Sequence, residues 1–391
     1  MTRSRSFSFT LFAIVFLLAG ILSGCAVRNS AASQAAPAAN PTGAGQPAAG
    51  GPSPAVPVTG GPVNPSSPVT VLETGSSLLY PLFSAWAPEI QKAYPNLTVQ
   101  TASTGSGTGI SQAISGVVQI GASDAYMSDS QLAKSPGIVN IPLAISAQQV
   151  NYNLSGVKSL DLSGTTLAGI YTGKIQYWDD PAIKADNPGA SLPHSQIVPV
   201  HRTDGSGDTF LFTQYLSATD AGWKGIVGYN TSIAWPSVPG ALGANGNSGV
   251  VQTLAQTPNS IGYVGISFLD EATSKGLGTA ALKNQAGSFV MPQTANITAA
   301  AAAMVGNTPV DERASLIYAP GSDSYPIINY EYAVVQTRQA SQAAASAVRT
   351  VLLWAISPNG GNSPSYLDKV HFLPLPSAVA SKSQAQIDKI Q

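Results

Sequence analysis

LTVQTASTGSGTGISQAISGVVQIGASDA, residues 97–125, decides the fold. LTVQTAS (97–103) reads as a strand, with Leu97 and Val99 alternating with polar neighbours. TGSGTGISQAISGVVQ (104–119) opens with a glycine-serine turn and runs on as a helix, and IGASDA (120–125) is a short strand ending in a second turn. A strand, a helix and a strand in such close order form a unit of a parallel sheet. The same alternation extends in both directions. VTVLETGSS (69–77) is a strand entering a small-residue turn, and LLYPLFSAWAPEIQKAYP (78–95) has helical spacing stopped at Pro95. VNIPLAISAQQVNYNL (139–154) reads as extended segments. LAGIYTGKIQYWDDPAI, IVPVHRTDGSGDTFLFTQYLS and SGVVQTLAQTPNSIGYVGISF repeat the alternation in a second block, from 167 to 268. An alanine-rich helix (295–304), a strand YPIINYEYAVVQ (325–336) and an amphipathic helix (338–357) follow. The expected class is α/β with a largely parallel sheet, and no internal repeat is visible.

The 391 residues allow two domains and a large core. Only 9% of residues are charged and the formal net charge is −1, which speaks against a nucleic-acid partner. Three histidines (His194, His201, His371) and one cysteine leave little material for a zinc or iron–sulfur site, so neither a metal nor another cofactor is expected. Trp86, Trp178 and Trp354 read as core, and His201 as a packing residue.

The single cysteine is informative through its place. Residues 1–24 carry Arg3 and Arg5 ahead of an apolar run from Phe7 to Leu22, shorter than a spanning helix needs. The run ends in Leu22-Ser23-Gly24-Cys25, which resembles the lipobox of bacterial lipoproteins. A lipidated Cys25 would tether the mature chain to the outer face of a membrane. Residues 26–67 are almost entirely Ala, Pro, Gly, Ser, Asn, Val and Gln, with Arg28 the only charge, and read as a flexible tether.

Four segments place glycine and small hydroxyl residues where a strand meets a helix: Gly75-Ser76-Ser77, Gly105-Ser106-Gly107, Gly121-Ala122-Ser123-Asp124 and Gly205-Ser206-Gly207. The first N–H groups of a helix lack partners inside it, and its dipole is positive there. Glycine lets a ligand approach that backbone, and serine adds donors. Together the turns point to an oxyanion. No P-loop lysine, no G-x-S-x-G elbow and no cluster for a two-metal phosphatase accompanies them.

With these turns in view, the chain resembles the phosphate-binding proteins of the high-affinity phosphate ABC transporter. The likeness runs over residues 69–391 and rests on GSSLLYPLFSAW, STGSGTGISQAISGVVQIGASDA, LAGIYTGKIQYWDDPAI, HRTDGSGDTFLFTQYLS, NGNSGVVQTLAQTPNSIGYVGISF and YPIINYEYAVV, in that order. The lipobox suggests the lipoprotein members found in actinobacteria. The resemblance implies a two-lobed, hinged periplasmic-binding-protein fold of type II, each lobe a mixed, mostly parallel sheet flanked by helices. Lobe one would be 69–150 plus 330–391 and lobe two 151–329, with crossings near Gln149–Leu154 and Tyr325–Tyr332. It also implies a non-enzymatic receptor that hands inorganic phosphate to the transmembrane subunits of a permease driven by a cytoplasmic ATPase.

Carried over position by position, the phosphate ligands are Ser77, Leu78 (through its backbone only), Ser106, Asp124, Arg202, Ser206, Gly207 and Asp208. Asp124 is the carboxylate that accepts the ligand's proton, and Asp204 orients Arg202. Asp208 departs from the usual threonine. It either faces the ligand as a second proton acceptor, in which case affinity falls as pH rises through phosphate's second ionisation, or caps a helix beginning at Thr209. Alternatives are a binder of sulfate or molybdate, which lack the proton that Asp124 would accept, a secreted phosphatase, and an added adhesin role.

Overall fold

The computed structural model describes residues 61–391. The leader, Cys25 and residues 26–60 lie outside them. The last residues of the expected tether lie against the folded chain. Val63 N–H donates to Thr350 Oγ1 at 3.1 Å, and that hydroxyl donates to Val63 C=O at 2.9 Å. Asn64 Oδ1 accepts from Asn96 N–H at 3.1 Å, Pro65 C=O accepts from Asn96 Nδ2 at 2.8 Å, and Pro65 is buried. The chain is held from Val63 onward, earlier than composition suggests, because Thr350 and Asn96 bond a backbone that has no secondary-structure partner of its own.

The stretch from 97 to 125 is a βαβ unit. Strand β1 (Val69–Gly75) pairs in parallel with β2 (Leu97–Ser103) and with β3 (Ile120–Ser123), joined through helices α1 (Tyr80–Ala93) and α2 (Ser106–Ser115). Gly116, in the left-handed region at φ 71°, ends α2. The extended segments around 139–154 form one sixteen-residue strand, β4 (Ile138–Asn153). Further along are β5 (Val198–Arg202), α3 (Gly207–Thr219), β6 (Leu242–Ala244), α4 (Gly246–Gln256), β7 (Ser260–Gly265), β8 (Ile328–Gln336) and α5 (Gln342–Ile356).

The main sheet runs β2-β1-β3-β8-β4-β7-β5-β6, with Gly278–Thr279 added beside β4. Its outer parts are parallel, β1 with β2 and β3 at one end, and β5 with β6 and β7 at the other. The centre is antiparallel, and β4 is its pivot. Residues Ile138–Ala147 pair with β8, whereas Gln148–Asn153 pair with β7. One strand therefore belongs to two groups of strands, each covered by its own helices. A separate three-stranded sheet joins Asp161–Leu162, Ala281–Lys283 and Phe289–Val290.

The apolar core is continuous across both groups. Trp86 and Trp178 are fully buried, and Trp354, half-buried, meets Trp86 edge-on at 6.1 Å. His201 stacks on Trp235 at 4.9 Å and serves packing. The turns β1–α1, β2–α2, β5–α3 and β6–α4 all leave the carboxyl ends of their strands, where ligands gather in such sheets.

Candidate anion-binding site

At the first turn, Gly75 has φ 144°, and a Cβ there would lie 2.0 Å from Ala122 C=O. Only glycine lets β1 run this close to the β3 backbone. Ser76 follows, not named by the sequence as a ligand. Its Oγ accepts from the N–H groups of Leu78 (3.1 Å) and Leu79 (3.0 Å), and its proton goes to Asp124 Oδ1. Leu78 therefore has its N–H bonded within the turn, and its side chain is fully buried. Ser77 turns across the molecule, where its Oγ accepts from Asn247 N–H at 3.2 Å and from Asn247 Nδ2 at 3.0 Å.

The second and third turns meet at Ser106 and Asp124. Ser106 is the first residue of α2, and its Oγ accepts from Asp124 N–H at 3.2 Å. Gly107 N–H donates to Gly205 C=O at 2.8 Å, tying the second turn to the fourth.

The fourth turn is built around Arg202, buried at the end of β5. Asp204 grips it through two bonds, Nε to Oδ1 at 2.7 Å and Nη2 to Oδ2 at 2.5 Å. Nη1 donates to Asp208 Oδ2 at 2.6 Å. Three of the five guanidinium N–H groups are thus used, and two remain. Asp208 is no helix cap. Helix α3 begins at Gly207, and Ser206 caps it by accepting from Thr209 N–H at 3.2 Å. The Asp208 carboxylate instead receives Arg202, Asn247 Nδ2 (2.8 Å) and Gln148 Nε2 (3.2 Å).

These groups converge on Gly207. A Cβ at that position would lie 2.4 Å from Asp124 Oδ2, 2.6 Å from Asp124 Cβ and 2.6 Å from Ser106 Oγ. Ser77, Ser106, Asp124, Arg202, Ser206 and Asp208 are all buried, the most exposed at 4%. Gly207→Ala should therefore force the α3 turn away from Asp124. Losing one or two charge-assisted bonds at about 1.5–3 kcal/mol each lowers anion affinity at least about tenfold, with little change in the unfolding temperature. Calorimetric titration beside a thermal melt checks this, and an unchanged affinity would place the ligand elsewhere.

A PBP superfamily domain matches residues 38–359. The phosphate-binding protein PstS of Xylella fastidiosa (strain Temecula1) is 34% identical over 319 residues, covering 81% of this chain and 84% of that protein. The chain belongs to the phosphate-binding protein family. The phosphate-binding protein PstS3 of Mycobacterium bovis (strain BCG / Pasteur 1173P2) is 31% identical over 336 residues, covering 82% of this chain and 86% of that relative. The crystal structure of the phosphate-binding protein from Stenotrophomonas maltophilia superposes with a TM-score of 0.62 at 20% identity, covering 81% of this chain and 93% of that one. That likeness identifies the two-lobed fold.

The site is rich in carboxylates, and burial governs them. It pushes Asp124 well above the ordinary carboxylate range; the charges of Glu331 and Asp208 push the same way, and the Ser76 hydroxyl pulls back. Burial also raises Asp208, against the pull of Arg202, Gln148 and Asn247. Asp204 goes the other way, because its bonds to Arg202 outweigh burial and hold it below its usual value. Burial alone would lower Arg202, but Asp204 and Asp208 keep it above its usual value and firmly charged.

Four residues of this phosphate-binding protein escaped the sequence reading. Ser76 sits beside Ser77, and only the path of the turn decides which hydroxyl meets Asp124. Gln148 and Asn247 carry no local signal, since their task is to hold Asp208 from β4 and α4. Glu331 did leave a trace: it is the one charge inside the apolar strand YPIINYEYAVV.

Proposed function

We propose that this protein binds inorganic phosphate outside the cytoplasm and delivers it to an ABC-type permease, without itself being an enzyme. One arrangement carries the reading. Three serine hydroxyls, Ser77, Ser106 and Ser206, already accept a bond from Asn247, Asp124 N–H and Thr209 N–H respectively. Their protons remain to be donated to an anion. Two Arg202 N–H groups and the first N–H groups of α2 and α3, those of Ser106 and Gly207, add to them. Among these donors stands the carboxylate of Asp124, which can only accept when ionised. An anion that carries its own proton suits such a set, and phosphate does at neutral pH. Sulfate offers Asp124 only lone pairs and like charge.

The ligand set of this proposal is Ser77, Ser106, Asp124, Arg202, Ser206 and Gly207, with Asp204 orienting Arg202. Asp208 acts through Arg202 and faces the same space. The partner switch of β4 at Ala147/Gln148 supports a hinge there, between a lobe of residues 69–150 plus 330–391 and one of 151–329. Both lobes would touch the permease, with the chain tethered through a lipidated Cys25.

Isothermal calorimetry with inorganic phosphate and sulfate at pH 7 tests the reading. The expected preference for phosphate is about 10⁴-fold or more, the scale set by a buried group left unpaired by the wrong ligand. Equal or tighter sulfate binding would sink it.

A further inference from the structure

Glu331 lies on β8 behind Asp124. Strand β8 pairs antiparallel with β3 as far as Tyr332 opposite Ser123, and Glu331 and Asp124 are the next residues beyond that last pair. Glu331 is fully buried. Its Oε1 accepts from Ser146 Oγ at 2.5 Å and Asn329 Nδ2 at 2.9 Å, while its Oε2 has no such donor. Asn329 Nδ2 also reaches the Asp124 C=O at 3.4 Å, so the two residues share a support. Asn329 thus links the two residues, and the charge of Glu331 acts on Asp124 and, after burial, raises it further. Two facing carboxylates have only acceptors, so a proton must lie between them.

Resting on the phosphate reading above, we propose that Glu331 is a positioning residue that takes the Asp124 proton when phosphate enters, so that Asp124 can accept the ligand's P–OH. The step balances. The O–H bond of the Asp124 carboxyl breaks and an O–H bond to Glu331 forms, with no proton lost to solvent. Phosphate keeps its own proton and donates it to the freed Asp124 oxygen beside Gly207 and Ser106. The pair carries one negative charge before and after. Without Glu331, Asp124 could become an acceptor only by expelling its proton from a buried site.

The pair therefore has to hold one proton throughout. Its surroundings favour that, because the remaining charges facing it are Asp208 from α3 and the Arg202 that Asp208 grips from β5. Burial, against the pull of the Ser146 and Asn329 donors, holds Glu331 up to about 7. Above that pH Glu331 is ionised while Asp124, raised well above its usual range, keeps the pair's one proton, so binding releases none. Without Glu331, binding must expel the Asp124 proton, and affinity then gains about tenfold per pH unit for one linked proton.

Glu331→Gln keeps a donor towards Asp124 and cannot ionise. Phosphate titrations of wild type and variant between pH 6 and pH 8.5 carry the same contribution from phosphate's own ionisation, so their difference isolates residue 331. Between pH 7.5 and pH 8.5 the affinity of Glu331→Gln should rise about tenfold relative to the wild type, because only the variant must release the Asp124 proton on binding. Parallel profiles would overturn the proposal. Should that variant misfold, Ser146→Ala serves, because removing a donor that lowers Glu331 should move the wild-type break to higher pH, and an unmoved break has the same consequence. A wild type that ignores phosphate at every pH would instead defeat the functional reading itself.

Discussion

Arg202→Met should abolish tight phosphate binding and cost about 3–5 kcal/mol of stability near neutral pH, the cost of removing one partner of a buried ion pair. Methionine roughly fills the space but leaves Asp204 and Asp208 facing each other without a cation. Asp208 is buried and Asp204 partly so, with side-chain exposures of 1% and 9%. Affinity falls because two free N–H groups go, each worth about 1.5–3 kcal/mol when the acceptor is charged, or about 10²–10⁴-fold together. The stability loss depends on pH with a definite sign. Asp204 is held below its usual value in the folded protein, so its contribution is complete above the unfolded carboxylate range and is lost as pH falls below that range through the lower folded value. The gap between wild type and variant should narrow below about pH 4. Urea unfolding at pH 7 and pH 3 measures it. A folded variant that binds phosphate within tenfold of wild type would remove Arg202 from the site.

Arg202 also shows which parts of this molecule are legible in sequence. HRTDGSGDTF holds the arginine, its bidentate partner two residues on and the serine that caps α3, all within one turn. Local spacing can specify such a unit because strand, turn and helix are continuous in the chain. The α/β alternation is legible for the same reason. What local spacing cannot specify is the company that Asp208 keeps. Gln148 reaches it from 60 residues before and Asn247 from 39 residues after, and neither stands in a pattern that demands this. The reading of Asp208 as a cap failed on a smaller point. Two small residues precede it, and the helix starts early enough for Ser206 to take that role. The length of β4 was hidden because both faces of its central part are buried, so period-two alternation vanishes.

The arrangement also resolves how a site with four acidic side chains can favour an anion. Asp204 is spent on Arg202, and Asp208 is divided among Arg202, Asn247 and Gln148. Asp124 and Glu331 face each other and, on the proposal above, share a proton. One carboxylate oxygen, Asp124 Oδ2, is left beside Gly207 and Ser106. The attraction comes from N–H and O–H dipoles fixed before the ligand arrives, which act strongly where water is excluded. The residual negative charge then acts as a filter rather than a barrier, because only an anion bearing a proton can turn it into a bond.

Asp124→Asn tests that filter directly. Asparagine keeps the size, and its oxygen can still accept from Ser76 at the Oδ1 position. Its NH₂ then falls at the Oδ2 position, beside Ser106 and Gly207, where the ligand's proton would have been received. A donor now faces the ligand. Phosphate loses the short charge-assisted bond and presents its P–OH to an N–H, while sulfate gains a donor and loses a repulsion. The ratio of phosphate to sulfate affinity should drop by about 10²-fold or more from an initial value of about 10⁴–10⁵, with phosphate falling and sulfate rising. A general weakening of the site would instead lower both anions together and leave the ratio in place. Competition titration of the two anions on the same preparation separates these outcomes, and an unchanged ratio would mean that selection lies with another group of the site.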